Sequence, residues 1–329
     1  MKYKDLKLTL SCSPHAHSGC TTDVIMKDVC IALLPALIAA VWFFGARALS
    51  VTAISVVACV AFEWGYRKIL HKDSTISDWS AVVTGMLVAF VCPVNLPYWT
   101  LIIGDFFAIV VVKQLFGGIG MNIVNPALAA RAFLFSWPSL MSGNWSTPGQ
   151  NLPMSGAVDA VTSATPMEAL AVGQLPGESL MDLFLGKVGG SFGEISALAL
   201  LLGLGYLLFT KVITLRIPLA YVGTVAVLAF IFPQGGNAGW QWSAYQVLSG
   251  GLLLGAIFMA TDYTTSPMTR WGQIIYGIGC GVLTILLRYF GSYVEGVSFA
   301  ILIMNCCVGF FDKIGLPKRF GVKKGGGKA

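Results

Sequence analysis

Charged residues are scarce in this sequence, making up 11% of its 329 residues against about 25% in a typical soluble domain. Hydrophobic residues make up 56% of the chain. This composition excludes a disordered chain, a nucleic-acid-binding domain and a typical cytosolic enzyme, because each of these needs far more polar surface. The sequence therefore predicts a polytopic membrane protein.

The sequence also lacks any Cys-x-x-Cys pair among its eight cysteines. This absence argues against a disulfide framework and against iron–sulfur ligation by this chain. Cys12 and Cys20 flank His15 and His17, so a metal site is an alternative, but the spacing matches no common zinc pattern. We expect no metal site and no signal peptide, because a polar stretch at 11–28 precedes the first apolar segment.

Ten apolar segments are candidate transmembrane helices, since a bilayer core of about 30 Å needs about 20 apolar residues per helix. They lie at 28–45, 46–66, 79–94, 97–115, 120–137, 191–209, 214–233, 242–261, 270–290 and 296–311. With a cytoplasmic N-terminus, 17 of the 21 basic residues fall on the cytoplasmic side and two on the outer side. This asymmetry favours an even number of spans, with both termini cytoplasmic.

A long polar segment divides the ten spans into two sets of five. The predicted regions are a cytoplasmic N-terminal segment at 1–27, a five-helix repeat at 28–137, an outer-face loop at 138–190, a second five-helix repeat at 191–311 and a basic cytoplasmic tail at 312–329. Five spans per half give the halves opposite topologies. The predicted fold class is therefore an all-α polytopic membrane protein with two inverted five-helix repeats.

The third and eighth spans both end in polar, proline-containing segments, at 92–97 and 261–267. Interrupted helices in matching positions of two halves mark binding sites near the bilayer midplane of transporters. Coincidence among glycine-rich spans is the alternative explanation.

Several ionisable residues fall inside or near the predicted spans. A charge at the bilayer centre costs roughly 2.5–3.5 kcal/mol on insertion scales. Asp105 and Arg131 have apolar residues on both sides, which makes them candidates for an ion pathway. Glu63, Lys113 and Arg288 lie nearer to span ends, where we expect them to extend to the membrane surface.

Glycines and asparagines cluster between the fourth and fifth spans, at Gly117, Gly118, Gly120, Asn122 and Asn125. Glycine lets the backbone approach a bulky ligand closely, and asparagine supplies donors and acceptors. A tight turn, with Asn125 opening the next helix, explains the same residues equally well. No Gly-Lys-Ser/Thr follows the glycines, which excludes a P-loop.

A short hydroxyl-rich motif, Thr162-Ser163-Ala164-Thr165, lies in the predicted outer-face loop. Pro166 and Glu168 follow it, a pattern typical of a helix N-terminus with Thr165 as the cap. A phosphate on the Thr165 hydroxyl would also be stabilised by free backbone N–H groups. The motif therefore predicts either a cap or a phosphorylated threonine.

In four stretches the chain resembles the family that contains the D subunit of the Rnf complex, an ion-translocating ferredoxin:NAD+ oxidoreductase. It is similar, more distantly, to the B subunit of the Na+-translocating NADH:quinone oxidoreductase. The stretches are 13–15 with 26–29, 117–127, 162–166, and 259–262 with 265–267. Asn305 and Asp312 also fit the last span of the family, so the resemblance covers nearly the whole chain.

The resemblance implies a covalent FMN, joined by a phosphoester to the last threonine of a Ser/Thr-Gly-Ala-Thr motif. That threonine is Thr165 here, and Thr162, Ser163 and Ala164 complete the motif. Ser163 stands where the family usually has glycine, and we expect attachment because serine is also small. A second, non-covalent flavin, riboflavin, is implied near 117–125.

The resemblance further implies a flavoprotein subunit in the inner cell membrane that relays electrons between ferredoxin and NAD+, coupled to Na+ or H+ translocation. Its expected partners are an outer-face flavoprotein subunit, membrane iron–sulfur subunits and the lipid bilayer, with no nucleic acid. The basic tail would lie on anionic lipid or on a partner subunit. An inverted-repeat solute channel or secondary transporter without a redox role is the alternative, which only the 162–165 motif and the family resemblance disfavour.

Overall fold

A computed structural model describes residues 21–141, 145–149, 152–154, 165–291 and 295–314. Within these ranges the regular elements are helices, and no strand is present. The first half contains α1 (Thr22–Phe44), α2 (Ala46–Ile69), α3 (Ser80–Phe90), α4 (Tyr98–Phe106) continued by a π-helix (Phe107–Gln114), α5 (Pro126–Leu134) and α6 (Pro138–Met141).

The second half follows two short helices of the predicted outer-face loop. These two are α7 (Pro166–Ala171) and α8 (Leu180–Leu185). The half itself contains α9 (Ala197–Phe209), α10 (Arg216–Ile231), α11 (Gly239–Leu248), α12 (Leu252–Leu254) continued by a π-helix (Gly255–Met259), α13 (Arg270–Phe290), α14 (Val297–Cys306) and α15 (Val308–Phe311).

Three helices in the described part of the chain, α1, α2 and α13, are long and apolar enough to cross a membrane. The broken unit from α11 to the π-helix after α12 would be a fourth span, bent by 64°. Trp42, Phe209 and Phe290 are more than 80% exposed on helix surfaces, as lipid-facing side chains would be. The described part of the chain is helical throughout its regular elements, and with these surfaces it has the character of a polytopic membrane protein.

The predicted interruptions of the third and eighth spans are confirmed. Helix α3 ends at Phe90, and the π-helix after α12 ends at Met259. The eighth span is also broken earlier than expected, because Gly250 and Gly251 adopt positive φ angles of 68° and 65°. Within the predicted span 120–137, helix α5 has only nine residues. The number of spans and the position of the termini stay predictions.

Helix pairs across the bundle pack closely where glycine removes a side chain. Helix α1 packs on α9, and α10 packs on α13. A Cβ added to Gly203 of α9 would lie 2.3 Å from the Ala32 carbonyl oxygen, and one added to Gly281 of α13 would lie 2.6 Å from Thr224 Cβ. Small residues at such contacts are a common device of membrane helix packing.

Gly281→Ala is therefore expected to destabilise the bundle by about 1–3 kcal/mol, the usual cost of overpacking. The added methyl would also lie 3.0 Å from the Tyr221 carbonyl oxygen, which cannot move independently of α10. Gly223→Ala is the matched control, because a Cβ there meets nothing within 4 Å. Equal thermal unfolding midpoints of Gly281→Ala and Gly223→Ala in detergent would contradict this packing.

Candidate functional site

Thr165 opens helix α7 and faces a small pocket. Its hydroxyl accepts a hydrogen bond from the Glu168 N–H at 3.3 Å, and Pro166 occupies the first helical position. Thr165 is 8% exposed and lines a pocket of about 370 Å³, the Thr165 pocket. The predicted cap is confirmed, whereas Thr162, Ser163 and Ala164 lie outside the described residues.

Arg131 of α5 holds two carboxylates at the edge of this pocket. Its guanidinium pairs with Glu194 at 2.7 Å and with Glu295, and it donates to the Ser191 hydroxyl at 3.4 Å. Ser191, Glu194 and Glu295 line the Thr165 pocket. Arg131 is 3% exposed, so this network lies inside the protein.

Arg288 of α13 is the second buried arginine here, and the expectation that it extends to the membrane surface is wrong. It is 4% exposed, and it donates to the carbonyl oxygens of Gln246, Ser249 and Gly250 at 2.5–3.3 Å. The break between α11 and α12 supplies these carbonyl acceptors. A Cβ added to Gly250 would lie 3.1 Å from Arg288 Nη2 and 2.7 Å from Met167 Cγ, which places Arg288 close to the chain just after Thr165.

Unpartnered polar atoms surround the Thr165 pocket. Ser249 Oγ, Arg131 Nε and Arg288 Nε are buried without a hydrogen-bond partner among the described residues. Buried donors without acceptors are costly, and Ser249 itself lines the pocket. The donor set therefore fits a ligand that brings acceptor oxygens.

A larger cavity of about 770 Å³ lies at the start of α5, and we call it the Asn125 cavity. Asn125 caps α5 by accepting from the N–H groups of Ala127 and Leu128 at 3.0 and 3.3 Å, and its amide donates to the Met259 carbonyl. Asn122 donates to the Thr264 hydroxyl at 3.3 Å. The cavity is thus built from segments of both halves.

The glycines predicted for the same site have a different position. Gly117, Gly118 and Gly120 have positive φ angles of 122°, 99° and 89°, so they shape the turn that leads to α5. They are absent from the lining of the Asn125 cavity, in which Asn122 and Asn125 take part. The turn explanation therefore holds for the glycines, and the asparagines are the members of the cluster that a ligand could touch.

Asp262 lies on the Asn125 cavity, in the loop after the second π-helix. The hydroxyls of Thr264 and Thr265 donate to its carboxylate at 2.9 and 3.1 Å. Burial raises the pKa of Asp262, and these hydroxyl donors oppose the rise. Asn122 Oδ1 nearby is buried and has no partner among the described residues, so the wall offers both a free acceptor and an acidic group.

Lys113 and Glu63 form a buried ion pair, so the expectation that they extend to the membrane surface is wrong. Lys113 Nζ lies 2.7 Å from the Glu63 carboxylate, and their side chains are 3% and 1% exposed. Ser80 and Thr75 supply further hydrogen bonds at 2.6 Å. Lys113 and Ser80 also line the Asn125 cavity, so the ion pair lies at its wall.

Asp105 and Arg131, the predicted ion-pathway residues, do not share a hydrogen-bond network. Asp105 is fully buried, and its Oδ1 lies 2.7 Å from the Ser55 hydroxyl and 3.4 Å from the Cys59 thiol, both on α2. The carboxylate partners of Arg131 come instead from the segment before α9 and from residue 295. The two residues therefore belong to separate polar clusters.

Comparisons with known proteins identify the family of this chain. The model of the NQR2, RnfD, RnfE family matches residues 9–321. The chain is 46% identical over 324 residues to the D subunit of the Na+-translocating ferredoxin:NAD+ oxidoreductase complex of Acetobacterium woodii, with 97% of each chain covered. It is 41% identical over 330 residues to the D subunit of the proton-translocating ferredoxin:NAD+ oxidoreductase complex of Clostridium ljungdahlii, with 96% of this chain and 97% of the relative covered. The chain therefore belongs to the NQR2, RnfD, RnfE family.

Proposed function

We propose that this chain is a flavin-carrying membrane subunit of an ion-translocating ferredoxin:NAD+ oxidoreductase complex. Family membership and the two relatives at 46% and 41% identity support the complex. In this proposal the chain lies in the cytoplasmic membrane, with an outer-face flavoprotein subunit and membrane iron–sulfur subunits as its redox partners. The names of those two relatives specify different coupling ions, Na+ in one and protons in the other.

The observation that carries the flavin proposal is the position of the Thr165 hydroxyl. It lies at the wall of a pocket that contains an unpartnered serine hydroxyl, and two buried arginines, Arg131 and Arg288, donate hydrogen bonds to residues of the pocket lining. Arg131 already has two carboxylate partners, Glu194 and Glu295, whereas Arg288 donates only to carbonyl and amide oxygens among the described residues. Arg288 is therefore the side chain that would hold the phosphate of an FMN on Thr165. Such a flavin would accept and pass on one or two electrons.

The Asn125 cavity is the proposed site of the second, non-covalent flavin. It is lined by segments of both halves, from α1 and α3 to the loop after the second π-helix. Its walls are mainly apolar, with Asn122, Asn125 and Asp262 as hydrogen-bonding groups and the Glu63-paired Lys113 at the edge. This combination suits a flat apolar ring system that carries hydrogen-bonding atoms at its edge.

The two pockets occupy matching places in the two halves of the chain, which supports the proposed inverted repeat. Asn125, just before α5, lines one pocket, and Glu295, just before α14, lines the other. In the predicted repeats, α5 and α14 are the fifth helices of their halves. Each pocket also borders a basic residue of a fourth helix, Lys113 or Arg288. In addition, α1 packs on α9 and α5 packs on α14, as expected when an internal two-fold axis brings equivalent helices together.

The ion route in this proposal has two separate parts, one at Asp105 and one at Arg131, each buried with polar partners on neighbouring segments. Arg131 joins the route through Glu194 and Glu295, which border the Thr165 pocket. Intramembrane ionisable residues of this kind are typical of ion and proton pathways. A solute transporter would use the same features, so the flavin is what separates the two functions.

In-gel flavin fluorescence tests the proposal directly. Membranes denatured and run on a gel should show a fluorescent band for the wild type and none for Thr165→Ala, because the hydroxyl that carries the phosphoester is gone. Ser179→Ala is the matched control, since Ser179 caps α8 in the same loop by accepting from the Asp182 N–H at 3.2 Å. Its band should stay as bright as the wild type. A dark wild-type band would favour the transporter alternative, and a fluorescent Thr165→Ala band would place the flavin elsewhere.

A further inference from the structure

Three oxygen atoms form a buried line between α2, α3 and α4. Ser55 Oγ lies 2.7 Å from Asp105 Oδ1 and 2.8 Å from the Gly85 carbonyl oxygen. Ser55 and Asp105 are both 0% exposed. Gly85 makes this approach possible, because a Cβ there would lie 2.8 Å from Val56 Cα.

The number of hydrogen atoms available for hydrogen bonds along this line depends on the protonation state of Asp105. A serine hydroxyl carries one hydrogen, so with an ionised Asp105 Ser55 donates either to the carboxylate or to the Gly85 carbonyl, and the other contact is left without a hydrogen. With a protonated Asp105, the carboxyl donates to Ser55 and Ser55 donates to Gly85. Both short contacts are then hydrogen bonds of ordinary length.

The surroundings also disfavour an ionised Asp105. Its second oxygen, Oδ2, is buried and has no partner among the described residues, and an unpaired buried carboxylate is costly. The titratable groups that interact with it are the thiols of Cys59 and Cys92, and the Lys113–Glu63 pair lies near Cys59. Lys113 is already neutralised by Glu63 at 2.7 Å, so no described cation is left over for Asp105.

We propose that the Asp105 carboxyl is a proton-binding site and that Ser55 links it to the Gly85 carbonyl. Oxygen atoms 2.7–2.8 Å apart are in direct hydrogen-bond contact, so the line has a place for a proton and none for a metal ion between its members. The π-helix that begins two residues after Asp105 is a feature often found at functional sites. The inference depends on the proposed function only in that the complex translocates ions, and it names the proton as the ion held at this position.

Infrared spectroscopy of the purified complex in H2O and D2O tests the inference, because only a protonated carboxyl gives a carboxylic-acid C=O band that moves on deuteration. We expect such a band in the wild type and its complete loss in Asp105→Asn. Asp182→Asn is the control and should leave the band unchanged, because Asp182 is exposed and the Ser179 hydroxyl lowers its pKa. Ser55→Ala should keep the band and shift it, since the carboxyl loses its acceptor.

Three results would overturn the inference: an identical spectrum for the wild type and Asp105→Asn, an unshifted band in Ser55→Ala, or loss of the wild-type band on adding Na+. The Ser55→Ala result decides the matter if Asp105→Asn does not assemble. The measurement needs no flavin, so in-gel fluorescence of the same samples separates the two proposals. A dark wild-type band with an intact Asp105 signal would remove the flavin and leave the proton site.

Discussion

Replacement of Lys113 by methionine is expected to destabilise the protein by about 3–5 kcal/mol, because it leaves the Glu63 carboxylate buried without its cation. The two groups lie 2.7 Å apart, and neither side chain is more than 3% exposed. Methionine keeps most of the side-chain volume, so the loss comes from charge rather than from a cavity. The unfolding midpoint in detergent should fall by roughly 10 °C.

A second variant separates this effect from a simple packing defect. In the double variant Glu63→Gln, Lys113→Met the unpaired carboxylate is gone, and most of the lost stability should return. Lys72→Met, at an exposed position, is the control for losing a positive charge. The ion pair would be unimportant if Lys113→Met melted with the wild type, or if the double variant were no more stable than the single one.

Filling the Asn125 cavity is expected to remove the non-covalent flavin and to spare the covalent one. Thr84→Trp places an indole in the cavity from α3, where Thr84 is 8% exposed and lines the wall. Flavin released by acid from the purified complex should fall at least about tenfold, which corresponds to a loss of roughly 1.4 kcal/mol or more in binding. In-gel fluorescence at Thr165 should remain at the wild-type level.

Leu219→Trp is the matched control for this experiment, because Leu219 lies on α10 with 64% of its surface exposed. It adds the same indole to the apolar surface and should leave the released flavin unchanged. Equal amounts of released flavin from Thr84→Trp and Leu219→Trp would show that the second flavin lies elsewhere. A loss of covalent fluorescence in Thr84→Trp would instead indicate damage to the whole protein.

Local signals in the sequence were sufficient for the elements that depend on neighbouring residues. The predicted span 270–290 has the same bounds as α13, because a largely apolar segment lies between Thr269, which caps the helix, and Gly291, which ends it. Thr165 and Asn125 were placed correctly as helix caps for a similar reason. In both cases a polar side chain precedes a proline at the first helical position, and this chemistry is complete within four residues.

Ion pairs between residues that are far apart in the chain could not be predicted from the sequence. Lys113 and Glu63 were expected to extend to the membrane surface, and their burial depends on a contact across 50 residues. Glu194 and Glu295 carried no local sign of their role, since they meet Arg131 across 63 and 164 residues. A single charged residue near the end of an apolar run looks the same whether it reaches water or a distant partner.

The break between α11 and α12 is a different case, because its signal was present. Gly250 and Gly251 are adjacent glycines in an otherwise apolar segment, and both adopt the left-handed conformation that glycine favours. If the pair had been interpreted as a helix break, the carbonyl groups of Ser249 and Gly250 could have been predicted to be free acceptors. Arg288, which binds them, would then have had a reason to be buried.

The central claim is that Thr165 carries a flavin through a phosphoester. Intact-mass spectrometry of the chain, purified from a host that contains the flavin transferase, tests this claim most directly. The account predicts a mass equal to the polypeptide plus one FMN less one water, and the bare polypeptide mass for Thr165→Ala. A wild-type chain of bare polypeptide mass, from a host that attaches FMN to a known acceptor in the same preparation, would contradict it.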